Sequence, residues 1–140
     1  MSKDIENLIP HRAPFLFVDE IVSVDQEQIV AIKTFDDTNF ILKGSFPEFN
    51  YVPGTILLES MAQCGGAGVR LLGVTNGIFA LAYIETAEFL NAVLFGDQVK
   101  FVIQNLRLSE KIIKQSGKAY VGDDIVMEGS WMSIRIEEGV

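Results

Sequence analysis

The feature that most constrains this chain is the long, mostly apolar run from Pro53 to Leu72. Pro53 sits where a first helical residue would, good helix formers follow it, and Gly73 stands where a C-terminal cap would. The run predicts one helix. Ile56, Leu57, Leu58, Met61, Ala62, Ala67, Val69, Leu71 and Leu72 make it apolar almost all the way round, so most of its faces must be buried. It is about long enough to cross a bilayer, but Glu59, Gln63 and Arg70 would each be costly at membrane depth. The expectation is a buried helix of a soluble protein, with no membrane span.

Such a helix needs something to surround it. Phe15 to Val24 and Gln28 to Phe35 are β-branched and aromatic runs separated by Asp25-Gln26-Glu27, which predicts two strands and a turn. From Asp36 to Val52 neither period holds, and the segment reads as a long irregular connection, a kind of loop that often carries function. Beyond the helix, Ile78 to Leu90, Gln98 to Leu108, Lys111 to Val121 and Ile125 to Ile136 read as strands, the last two joined by Gly122-Asp123-Asp124. A helix placed between early and late strands can bury itself only if the sheet curls around it. The fold class expected is therefore α+β, a curved antiparallel sheet wrapped around one long central helix. With 140 residues, 49% of them hydrophobic, and no repeat or linker, the chain suits a single domain over 1–140.

Charge and cysteine content narrow the partners. The 19 acidic residues outnumber 11 basic ones for a net charge of −8, and no segment gathers Lys or Arg into a patch, so nucleic acid is not an expected partner. The same field repels an acidic partner at long range. The lone Cys64 cannot form an intrachain disulfide and reads as a small packed hydrophobe. Met1 to Asn7 carries no apolar run of the signal-peptide kind, and a reducing, cytoplasmic location is expected.

Glu59 and Gln63, four residues apart, share one face of the helix, and Arg70 lies a further seven along near the same stripe. A carboxyl in that apolar setting is a candidate general acid; equally, Glu59 could pair with Arg70 or a backbone donor at a subunit interface. Gly54 at the helix start offers an unencumbered N–H where a thioester carbonyl could be polarised, or simply makes the turn after Pro53. His11 is the only histidine, and its neighbours Pro10, Arg12 and Pro14 favour a structural role bonded to backbone. Ser45 has no neighbouring histidine to activate it and lacks the glycine spacing of a nucleophile elbow. No metal-ligand spacing or phosphate-cradling loop occurs, since Gly65-Gly66-Ala67-Gly68 lies within the helix and reads as a close-packing surface. Neither cofactor nor metal is expected.

The chain resembles a known family along nearly its whole length. Pro10-His11-Arg12-Ala13-Pro14-Phe15-Leu16-Phe17-Val18-Asp19 is similar to the N-terminal signature of the 3-hydroxyacyl-acyl carrier protein dehydratases of type II fatty acid synthesis. Gly44-Ser45-Phe46-Pro47 resembles their glycine-histidine-phenylalanine-proline loop, Pro53-Gly54-Thr55-Ile56-Leu57-Leu58-Glu59-Ser60-Met61-Ala62-Gln63 resembles the start of their central helix, and Gly96-Asp97 matches a pair preceding a later strand.

The resemblance implies a hot-dog fold and reversible loss of water from a (3R)-3-hydroxyacyl thioester, carried by acyl carrier protein or coenzyme A. It implies a histidine that removes the C2 proton, a glutamate on the partner subunit's helix that protonates the leaving hydroxyl, and a glycine N–H that polarises the carbonyl. Glu59 matches the acid; Gly54, Phe46, Pro53 and Gln63 match positions expected to hold substrate; Ser45 falls on the histidine. A serine hydroxyl cannot act as a base near neutrality, and loss of one general base removes about 10²–10⁴-fold in rate. The strand after the helix, often basic in the family, here reads Ile84-Glu85-Thr86-Ala87-Glu88-Phe89-Leu90. Because family sites span a dimer interface, the expected assembly is a homodimer, or a heterodimer with a dehydratase paralogue that supplies the histidine, with higher oligomers open. The rival readings are a non-catalytic acyl-thioester binding subunit and a hot-dog thioesterase in which Glu59 activates water.

Overall fold

A computed structural model describes residues 5–136; residues 1–4 and 137–140, which include part of the N-terminal stretch read above, lie outside it. The chain runs β1 (Glu20–Val24), β2 (Gln28–Thr34), α1 (Phe40–Lys43), α2 (Gly54–Leu72), β3 (Ile78–Phe89), β4 (Gln98–Leu108), β5 (Ile112–Val121) and β6 (Asp124–Ile136). The six strands form one antiparallel sheet in the order β1-β2-β4-β5-β6-β3. Helix α2 touches all six, as a sheet curled around a central helix requires. This is the hot-dog arrangement.

The inner face of the sheet follows the two-residue period of a strand. Ile29 and Ala31 of β2, Val99, Phe101 and Ile103 of β4, and Ile113 and Ala119 of β5 are buried and meet Leu57, Met61, Cys64, Ala67 and Val69 of the helix in one apolar cluster. The helical glycines let the layers close: a Cβ on Gly68 would lie 2.6 Å from Ile29 Cδ1, and one on Gly65 would overlap the Gln115 amide. Gly73 ends α2 in the left-handed conformation, φ 83°, donating its N–H to Arg70 O at 3.1 Å. Burial pushes the Cys64 thiol far up, which leaves it a packed, unreactive group.

Three expectations need correction. Strand β1 begins at Glu20 rather than Phe15, because the backbone of Phe15 and Phe17 is bonded to side chains of α2 instead of to a strand. The connection from Asp36 to Val52 is not wholly irregular. It holds the single-turn α1, capped by Asn39, whose Oδ1 accepts the Ile41 N–H at 3.1 Å. Pro53 is the N-cap of α2 rather than its first helical residue. The remaining strand ends fall within one residue of expectation.

Strand β3 pairs with β6 along one side only and forms an edge of the sheet. Its residues from Leu81 to Phe89 are all exposed, Leu81, Tyr83, Ile84 and Phe89 among them. No described helix is long and apolar enough to cross a membrane.

Candidate active site

The site grows from the polar positions of α2. Gln63 is buried and its amide is fully engaged: Oε1 accepts the Phe17 N–H at 2.8 Å, while Nε2 donates to Phe15 O at 3.0 Å and to Glu59 Oε2 at 2.9 Å. Ser60, one position past Glu59, donates its hydroxyl to Phe17 O at 2.6 Å. Two helix side chains thus stitch the Phe15–Phe17 backbone onto α2, and the preceding residues are drawn over Glu59.

There the structure departs from the expected role of His11. Its ring is not bonded to backbone: Nε2 lies 3.5 Å from Glu59 Oε2, and Nδ1 is buried without a partner among the described residues. Burial holds the imidazole below its ordinary value of 6.5; the Glu59 carboxylate opposes that shift and the Arg12 guanidinium adds to it. The alternative partner of Glu59 also falls away. Arg70 donates instead to Gly77 O at 3.4 Å, in the connection just before β3. Glu59, His11, Gln63 and Arg70 line one groove of about 360 Å³, whose apolar wall includes Ile9, Phe15 and the start of β3.

The other predicted residues gather elsewhere. Gly54 and Phe46 line a separate shallow cleft of about 290 Å³ with Tyr51, Leu57 and Phe89. Gly54 packs so tightly that a Cβ would sit 2.9 Å from the Phe89 ring, which explains the residue type, and its N–H is among the first-turn donors a helix leaves without an intrahelical acceptor. Pro53 adjoins this cleft as N-cap. Ser45 lies in the exposed turn after α1 and lines neither cavity; its N–H donates to Leu42 O at 3.3 Å. Glu59 and Gln63 are therefore brought together, as are Gly54 and Phe46, but the two pairs open on different faces of the helix. Sequence reasoning missed His11 as a neighbour of Glu59, and Ser60 altogether. The pairing of a helix Gln with backbone forty-six residues earlier leaves no local pattern to read.

No group of three or more His, Cys, Asp or Glu among the described residues is arranged to hold a metal ion. A curled antiparallel sheet around one apolar central helix, with a carboxyl of that helix lining a groove, defines a hot-dog protein. The chain is a member of the 3-hydroxyacyl-acyl carrier protein dehydratase family, lyases of fatty acid biosynthesis. A family model described as ApeP-like, ApeP dehydratase, matches residues 3–77. The dehydratase FabZ of Pelotomaculum thermopropionicum is 36% identical over 130 residues, covering 91% of this chain and 93% of that protein. FabZ of Desulforamulus reducens is 33% identical, covering 91% and 92%. Among solved structures, the dehydratase heterocomplex ApeI:P from Xenorhabdus doucetiae has a similar fold, TM-score 0.72 at 17% identity, covering 96% of this chain and 91% of that one. A hypothetical thioesterase with coenzyme A from Streptococcus pneumoniae matches at TM-score 0.66 and 13% identity, covering 97% of each chain.

Proposed function

We propose that this chain supplies the acid half of a composite 3-hydroxyacyl thioester dehydratase site, completed by the histidine of a paralogous subunit. The observation that carries the reading is the division of its residues: a held carboxyl at Glu59 on one face of α2, and on another a Gly54 cleft beside the loop where the resemblance puts Ser45 in the place of the family's histidine. The two halves line separate cavities of one chain, which favours a site in which two chains exchange them. In the composite site Glu59 protonates the leaving hydroxyl at C3, the partner's imidazole takes the C2 proton, and the product is the trans-2-enoyl thioester plus water. The unpaired, apolar edge of β3 supports association with a second hot-dog subunit, since an open edge of that length invites pairing. Glu88 on this strand, beside a Glu85 that already has Lys114 Nζ at 3.9 Å, favours a partner of basic rather than identical edge. The heterocomplex described for the ApeI:P structure supports the same arrangement.

The test is conversion of crotonyl and 3-hydroxybutyryl thioesters, on acyl carrier protein and on coenzyme A, by the chain alone, by its Ser45→His variant, and by the chain coexpressed with its nearest dehydratase paralogue. The expected result is negligible turnover alone, a gain with Ser45→His, and full turnover in a copurifying complex that Glu59→Gln abolishes. Failure to copurify, or activity indifferent to Glu59→Gln, sinks the proposal. Release of free thiol instead would favour the thioesterase reading.

A further inference from the structure

We propose that His11 is a positioning residue for Glu59: it faces the Oε2 that Gln63 already holds, so that the proton exchanged with substrate is carried on Oε1. The inference rests on the reading of Glu59 as the acid, and it concerns how this chain holds that acid.

The geometry orders the donors. Because Gln63 Oε1 is committed to the Phe17 N–H at 2.8 Å, the amide cannot flip, and the group facing Glu59 Oε2 at 2.9 Å must be its NH₂. His11 Nε2 approaches the same oxygen at 3.5 Å. Among the described residues its Nδ1 has no partner, and a buried N–H without an acceptor is more costly than a lone pair without a donor, so the ring proton belongs on Nε2, which faces the Glu59 carboxyl. Gln63 Nε2 then donates to Oε2, and the His11 N–H faces the same oxygen from 3.5 Å, near it but not hydrogen-bonded to it in this conformation. A carboxyl proton placed there would meet both of them; on Oε1, which accepts no hydrogen bond from the described residues, it meets none.

His11 is itself held. The Arg12 guanidinium donates to Ile9 O at 3.0 Å, to His11 O at 2.7 Å and to Glu6 O at 2.9 Å, gathering the backbone that leads up to and includes the histidine. The ring stacks near Phe15, whose own carbonyl is fixed by Gln63. The charged groups around it are Glu59 from α2, Arg12 from its own segment with Glu6 3.9 Å from that guanidinium, and Arg70 farther along the groove; the β3 and β6 residues of the wall, Ile78 to Leu81 with Ser133 and Ile136, carry no charge. Burial outweighs the pull of Glu59 and keeps the imidazole neutral near neutral pH. A neutral N–H donor can hold one oxygen without competing for the proton on the other.

The experiment exploits the single histidine of the chain. A long-range ¹H–¹⁵N spectrum of untagged protein contains one imidazole, expected as the Nε2–H tautomer with a titration below 6.5 that Glu59→Gln moves lower still. An Nδ1–H tautomer, or a titration that ignores Glu59→Gln, overturns the proposal whether or not the protein turns over. In the complex with a histidine-bearing paralogue, His11→Ala is expected to lower kcat about 10- to 100-fold with little change in KM, as for a misplaced catalytic group. His11→Gln, a neutral donor that does not titrate, should recover most of that loss. A KM effect alone, or a glutamine no better than alanine, refutes positioning. An inert wild-type complex overturns the dehydratase reading and with it the role of Oε1, while the spectrum still decides the His11–Glu59 pairing separately.

Discussion

Replacing Gln63 by leucine removes three hydrogen bonds while nearly conserving side-chain volume, so its effect isolates the polar contribution. The largest loss is at Phe17, which is 1% exposed: its N–H, now bonded to Gln63 Oε1 at 2.8 Å, would be left in a dry interior. An unsatisfied buried backbone group costs about 1–3 kcal/mol. Phe15 O is nearer the surface and water can replace its donor, so its loss adds on the order of 1 kcal/mol or less, and the freed Glu59 oxygen a similar amount. The expected destabilisation is about 2–4 kcal/mol, or a fall in Tm of roughly 6–12 °C for a chain of this size. Thermal unfolding followed by circular dichroism, at one fixed protein concentration because an associating protein melts in a concentration-dependent way, measures it. A shift smaller than about 2 °C would mean that the Phe15–Phe17 segment does not depend on the helix for its position, and the account of how His11 is brought over Glu59 would fall with it.

Ser60→Ala, which removes the 2.6 Å bond to Phe17 O, should cost about 1 kcal/mol and combine non-additively with Gln63→Leu, because both act on the same residue; a double-mutant cycle by urea unfolding reads the coupling. Gly68→Ala places a methyl 2.6 Å from Ile29 and should destabilise by about 1–3 kcal/mol, with Ile29→Val in the same chain recovering part of the loss; an unchanged urea midpoint would count against the close helix–sheet contact. His11, whose folded-state value lies below 6.5, binds its proton more readily in the unfolded chain, so it favours folding at neutral pH and withdraws that contribution as the pH falls through 6.5 toward the folded value. The stability difference between wild type and His11→Gln should accordingly shrink or change sign between pH 7.5 and pH 5, about the range of histidine titration, and a pH-independent difference would contradict the half-buried, neutral ring.

Much of the fold was legible because its signals are local. The apolar run of α2, its glycine stop and the two-residue periods of β4, β5 and β6 are each written in consecutive residues, and the curled sheet follows from the need to cover a helix buried on most faces. Glu59 and Gln63 were legible for the same reason, as polar positions four apart on an apolar surface. What escaped depends on contacts between distant segments. The start of β1 was misplaced because Phe15 and Phe17 look like strand residues but give their backbone groups to Gln63 and Ser60. His11 looked like a local structural histidine because nothing near it in sequence announces Glu59. The single turn of α1 is too short for a periodic signal, though the Asn39 cap was its trace.

Ser45 occupies a turn that faces solvent, where the described residues engage its backbone N–H and leave its side chain unbonded. The fold therefore has no stake in which residue stands there. A histidine at this point would replace a side chain that makes no hydrogen bond within the chain, so that catalysis and the scaffold of this chain rest on separate residues. A chain built this way keeps the same shape whichever residue stands at this position.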